Sequence, residues 1–91
     1  MATIFRVRGL RVIIYSNDHW PPHVHVVGRD REARIELGGE ESRPSLVTNN
    51  GLARTELAAA LVEINRNRAL LMQRWREIHG DTRVGERGTT R

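Results

Sequence analysis

The reading of this chain turns on Asn17-Asp18-His19-Trp20-Pro21-Pro22-His23-Val24-His25-Val26, which gathers three of the four histidines. Pro21 and Pro22 fix their own φ and push the residue before each of them out of the helical region. Trp20 and Pro21 are therefore expected to be extended, and the chain after them to run on as a strand. Residues two apart on a strand share a face. His23 and His25 should then project side by side, with Val24 and Val26 facing the other way. A face that presents two imidazoles is either a site or a polar surface edge.

Upstream, Thr3 to Val7 reads as a first strand, with Ile4, Arg6 and Arg8 on one face and Phe5 and Val7 on the other. Gly9 interrupts it as a bulge or turn would. Arg11 to Tyr15 is a second strand rich in β-formers, and Ser16-Asn17-Asp18 has turn composition. Downstream, His23 to Val27 is the third strand and Gly28 to Arg31 a turn. Glu32 to Leu37 alternates as a half-buried antiparallel strand does. Gly38 to Pro44 is a loop, Ser45 to Val47 a short extended piece, and Thr48-Asn49-Asn50-Gly51 another turn.

The period then changes. Leu57, Leu61, Ile64, Leu71, Trp75 and Ile78 fall at alternating steps of four and three, with Arg68 in the missing slot. That spacing is an amphipathic helix. Asn50 or Thr55 is suited to cap its start, and Gly80 to end it. The two asparagines in Asn65-Arg66-Asn67-Arg68 are poor helix formers. A single arm from Arg54 to His79, bent at that point, is preferred to two separate helices. The expected fold class is α+β: an antiparallel sheet of three or four strands followed by one long or two shorter C-terminal helices. Residues 1–80 form one domain, and 81–91 read as a disordered basic tail.

At 91 residues, one domain is the ceiling. With no cysteine there is no disulfide framework, thiolate metal site or thiol nucleophile. No apolar run approaches membrane-spanning length and no signal-type segment opens the sequence, so a cytoplasmic protein is expected. The formal charge is +4, and all fifteen basic residues are arginine. Arginine offers a planar, permanently charged fork suited to phosphate and carboxylate. A basic chain of this size points to nucleic acid or an acidic partner, or simply to a solvated surface.

The pattern Asn17-Asp18-His19-x-Pro21-Pro22-His23-x-His25-Val26 resembles that of a family of small bacterial and archaeal proteins, the domain of unknown function numbered four-one-six-zero. The resemblance runs from about Thr3 to His79. It includes a glycine near Gly9, a β run ending in Tyr15, an alternating acidic strand and a helical tryptophan near Trp75. Members are often encoded beside a second small protein, as in toxin–antitoxin modules. The resemblance therefore implies a cognate partner and a nucleic-acid role, and brings no established activity. The family more often has an aromatic where this chain has Val24, and the tail after Asp81 has no counterpart.

Three chemistries suit the residues. His23 and His25 on one strand face, with His19 across the turn, could ligate a divalent metal, Asp18 or Glu36 completing the set. No other cofactor is implied. A ribonuclease needs a base, an acid and a cation. His23, His25 and His19 suit the first two roles, Arg8 (or Arg6 or Arg34) the third, and Tyr15 offers a hydroxyl. Arg6, Arg8, Arg11 and Arg34 are candidates for phosphate contact. Helix arginines Arg66 and Arg74 fit equally well as partners of Glu63 and Glu77. Leu57, Leu61, Ile64, Arg68 and Leu71 are candidates for a partner or homodimer contact, with Arg68 as a register-setting charge.

Two functional readings follow. One is a toxin–antitoxin-type small protein that binds RNA or DNA and a cognate partner, with a histidine-based ribonuclease site. The other is a non-catalytic interaction or regulatory module whose His-rich turn is structural or binds a metal, the prolines guarding an edge strand. Catalysis asks for exposed imidazoles in a basic cleft. The module asks for buried, hydrogen-bonded ones.

Overall fold

The computed structural model describes residues 2–38 and 43–80. Five strands run as an antiparallel meander in sequence order: β1 (Ala2–Val7), β2 (Leu10–Ile14), β3 (His23–Gly28), β4 (Arg31–Glu36) and β5 (Ser45–Asn50). Helices α1 (Arg54–Arg66) and α2 (Arg68–His79) follow. The class is α+β as expected, but the strand count is five rather than three or four. The proposed tail at 81–91 and the middle of the Gly38–Pro44 loop lie outside the described residues.

The β1–β2 turn is two residues, Arg8 and Gly9, at φ 51° and 80°. Both are in the left-handed region that a tight hairpin connection requires. The β3–β4 turn is Arg29-Asp30, with Asp30 at φ 59°, a conformation Asp tolerates. A Cβ on Gly28 would sit 2.7 Å from Leu10 Cδ2, so the residue that opens this turn must be small.

Strand parity divides the sheet. Val7, Leu10, Val12, Ile14, Val24, Val26, Ala33, Ile35 and Leu37 form one buried cluster with Ala60, Ile64, Leu71 and Trp75 of the helices. The apolar stripe of the helices thus covers one face, and Leu57, Leu61 and Ile78 pack at its margin. The other face carries Arg6 paired with Arg11, and Ile13 paired with His25, which in turn pairs with Arg34.

Several local expectations change. The helical segment is two helices, interrupted at Asn67 (φ −106°, ψ 21°), whose side-chain amide donates to Glu63 O at 2.8 Å. The break falls where the asparagines are, but it ends one helix and starts another. Neither Asn50 nor Thr55 caps α1. Ala53 is the N-cap, and Glu56 accepts its N–H at 3.0 Å. Glu56 also takes a forked pair from Arg31, at 3.1 and 2.7 Å, tying α1 to the β3–β4 hairpin. Arg31 and Glu56 each favour the charged form: their mutual hydrogen bonding raises the arginine and lowers the carboxyl relative to their usual values. Gly80 does end α2, its N–H bonded to Arg76 O.

β5 continues to Asn50 instead of turning at Thr48, because its ladder with β4 holds the polar residues extended. The prolines guard no edge either, since β3 is the central strand. Pro22 contributes a carbonyl that accepts from Leu37 N at 3.0 Å and lengthens the β3–β4 ladder. The Trp20–Pro21 peptide is cis.

Candidate functional site

The turn after β2 builds the site. Asp18 N–H donates to Tyr15 O at 3.2 Å, and Tyr15 N–H donates to Asp18 Oδ2 at 3.0 Å. This reciprocal pair turns the Asp18 carboxylate back towards the sheet. Its other oxygen, Oδ1, lies 3.2 Å from His23 Nε2 and 3.1 Å from His25 Nε2. The alternation of β3 places the two rings together, 5.1 Å apart and edge to face. Val24, whose side chain points to the helices, is between them in sequence and 0% exposed.

Each histidine is held from behind. His23 Nδ1 donates to Pro21 O at 2.8 Å, and the ring is 2% exposed. His25 Nδ1 is 2.8 Å from Glu32 Oε2. Glu32 pairs with Val27, so it is the diagonal neighbour of His25 on the same face, within reach of a long side chain. Tyr15 stacks edge-on to His25 at 4.5 Å. On the far side Trp75 backs His23, with Trp20 against Trp75 at 4.9 Å and His79 at 4.1 Å. The cluster therefore sits where the turn, the start of β3 and the end of α2 meet.

The electrostatics follow from this packing. Burial opposes ionisation of Asp18. The hydrogen bond with His25, the Tyr15 N–H and the nearby imidazoles outweigh it and hold the carboxyl below its usual value. Burial raises the Tyr15 phenol, and Glu32 and Asp18 add to the rise against Arg11. Tyr15 is a neutral hydroxyl at physiological pH and not a base. Donor atoms of Asp18, His23 and His25 lie within 4.8 Å of one another, a spacing that suits a metal ion.

The candidates read from the sequence separate into groups. His23 and His25 converge, with Tyr15 against them. His19 is exposed and stands outside the group of three donors. Glu36 pairs with His23 along the ladder but is not among those donors. Arg8 is at the tip of the β1–β2 hairpin, beyond the end of β2 opposite Tyr15. His25 is opposite Ile13, three residues or about 10 Å along β2 from Leu10 at 3.3 Å per residue, so Arg8 lies away from the imidazoles along the strand. Arg34 is the arginine placed directly across from His25, and its Nε is buried with no hydrogen-bond partner among the described residues.

The proposed partner stripe is also redistributed. Ile64 and Leu71 are 0% exposed in the chain's own core. Arg68 donates from Nε to Leu37 O at 2.7 Å, closing the end of β4. These three are spent internally. Arg66 and Arg74 pair with Glu63 and Glu77 at 3.4 and 3.3 Å. Sequence reasoning offers Asp18 only as a completing ligand and misses Glu32. A two-residue turn at Arg29-Asp30 is the signal that sets the register and finds Glu32.

These features define a small α+β protein with a part-buried His–Asp cluster at one end of a sheet that has helices on one face. The chain belongs to the family described as Domain of unknown function (DUF4160), whose model matches residues 9–76, a span that contains the whole cluster. No curated protein and no solved structure matches the chain.

Proposed function

We propose that this protein is a small nucleic-acid-binding module that works with a cognate partner protein. Its phosphate contacts would come from the sheet face turned away from the helices. The observation that carries this reading is the cross-strand register. It sets Arg6 beside Arg11 on the same face as Ile13, His25 and Arg34, while Val12, Ile14, Val24 and Val26 point to the core. Arginine forks on one sheet face suit the spaced charges of a nucleic-acid backbone. A toxin–antitoxin-type pairing fits a short domain with an open edge: β5 is an edge strand with Leu46 and Val47 exposed, a surface that strand addition by a partner could use.

Binding without cleavage is the form of the reading that the site supports better. A ribonuclease needs an imidazole nitrogen free to meet the 2′-hydroxyl. Both ring nitrogens of His23 face protein acceptors, as do both of His25.

The test is fluorescence anisotropy with single-stranded RNA, duplex RNA and duplex DNA of equal length, across a salt series. Wild type should bind at least one probe with steep salt dependence. Arg6→Ala/Arg11→Ala should flatten the log–log salt slope by roughly 0.7–0.9 for each phosphate that is no longer neutralised. No binding by the wild type, or an unchanged slope in the variant, defeats the reading. Cleavage of the RNA probe that His25→Gln abolishes would replace it with the catalytic one.

A further inference from the structure

Both histidines of the cluster have a hydrogen-bond inventory that does not close with neutral rings. Pro21 O can only accept, so His23 Nδ1 carries a proton. A neutral His23 then presents the bare lone pair of Nε2 to Asp18 Oδ1, an acceptor facing an acceptor at 3.2 Å. His25 has a carboxylate at each nitrogen, Glu32 at 2.8 Å and Asp18 at 3.1 Å. A cation has to stand between Asp18 Oδ1 and the two Nε2 atoms, either as extra protons or as a metal ion.

The distances fit a metal ion. Charge-assisted N–H···O contacts run to about 2.7–2.9 Å. The His25–Glu32 contact is in that range at 2.8 Å, but the two contacts to Asp18 are longer, 3.1 and 3.2 Å. Zinc bonds of about 2.0–2.1 Å give a tetrahedral ligand–ligand edge of about 3.3 Å, close to what Asp18 shows. The donor atoms that the three residues offer all lie within 4.8 Å of one another. The surroundings match a metal site as well. A ligating imidazole commonly donates its other N–H to a carbonyl or carboxylate, which fixes the tautomer and the aim of the lone pair. Pro21 O does this for His23 and Glu32 for His25. The Tyr15 N–H does the corresponding work for the carboxylate, engaging Oδ2 and leaving Oδ1 to the ion.

We propose that Asp18 Oδ1, His23 Nε2 and His25 Nε2 bind one divalent first-row transition-metal ion of the zinc class. Glu32 and Pro21 orient the imidazoles. Three protein ligands leave a position for water or another oxygen donor. The ion pins the Ser16–Pro22 crossing to β3, so loading stabilises the fold. This inference goes beyond the nucleic-acid reading and stands without it.

The experiment uses tag-free full-length protein stripped with chelator and titrated with Zn²⁺ and with Co²⁺. Isothermal calorimetry should give one site per chain, with a rise in melting temperature on loading. The Co²⁺ form should show the visible bands of a low-coordinate nitrogen–oxygen site. Asp18→Asn and His25→Gln should each weaken binding by at least about 100-fold, and His79→Gln should leave it unchanged. Wild-type binding no tighter than that of Asp18→Asn, equal weakening in His79→Gln, or several weak sites per chain overturns the proposal. If a variant fails to fold by circular dichroism, the wild-type Co²⁺ spectrum and melting shift decide alone: their absence overturns it.

Discussion

The two faces of the sheet are made by the same strands and held by different physics. On the helix side, Val12, Ile14, Val24, Val26, Ala33 and Ile35 meet Ile64, Leu71 and Trp75, and each is fully buried. That face is stabilised by area, at roughly 25 cal/mol per Å² removed from water, and no single contact has to be oriented. On the other face, Asp18, His23, His25 and Glu32 are held by a handful of directional contacts of 2.8–3.2 Å. Those contribute little net energy each, but leaving one partner unsatisfied costs far more than the bond itself contributes. Alternation along β3 thus assigns stability to one face and chemistry to the other. The two can be altered nearly independently, except at Trp75, which belongs to the core and backs His23.

That independence can be broken most directly at Trp75. Trp75→Ala should destabilise the chain by about 3–5 kcal/mol in urea denaturation, a large share of the roughly 5–15 kcal/mol typical of a domain. A loss under about 1 kcal/mol would mean that the helix face is not the principal source of stability.

A smaller effect is expected from the polar face. Asp18→Ala removes the acceptor of Tyr15 N–H and the carboxylate that both imidazoles face, and should cost about 1–3 kcal/mol in chelator-treated buffer. Hydrogen exchange at Tyr15 N–H should speed up with it. An unchanged stability would show that the cluster is poised for a ligand and does not hold the turn.

The smallest effect belongs to neither face. Glu56, lowered by its hydrogen bonding to Arg31, links α1 to the β3–β4 hairpin. A depressed folded-state value means that its contribution is full above the ordinary carboxylate range and fades as pH falls through the folded value. The melting-temperature difference between wild type and Glu56→Gln should therefore be present at neutral pH and shrink in acid. A difference that persists in acid would assign the link to packing instead of charge.

Much of this architecture is legible in the sequence. The alternation in Glu32–Leu37, the shared face of His23 and His25 and the stripe through Ile64, Leu71 and Trp75 are each consequences of a fixed backbone period. β5 is largely hidden. All six of its residues are exposed, and Thr48-Asn49-Asn50 has the composition of a turn. An edge strand held by its ladder to β4 leaves no burial pattern to read. The asparagines place the helix interruption but not its extent at Asn67, because propensity is a weak term beside packing. Arg8 is on a neighbouring hairpin but at its tip, beyond the Leu10 end of β2, while His25 is opposite Ile13.

Local chemistry therefore determined the first four strands, the helical stripe and the histidine pair, since each depends on spacings of two to four residues. Tertiary structure decided that Asp18 is the hub, that Glu32 holds His25, and that Ile64, Arg68 and Leu71 serve the chain's own core and strand end. Each of those facts depends on which residues of distant segments come within about 3–4 Å, a distance that hairpin register and helix docking set and that no local period encodes.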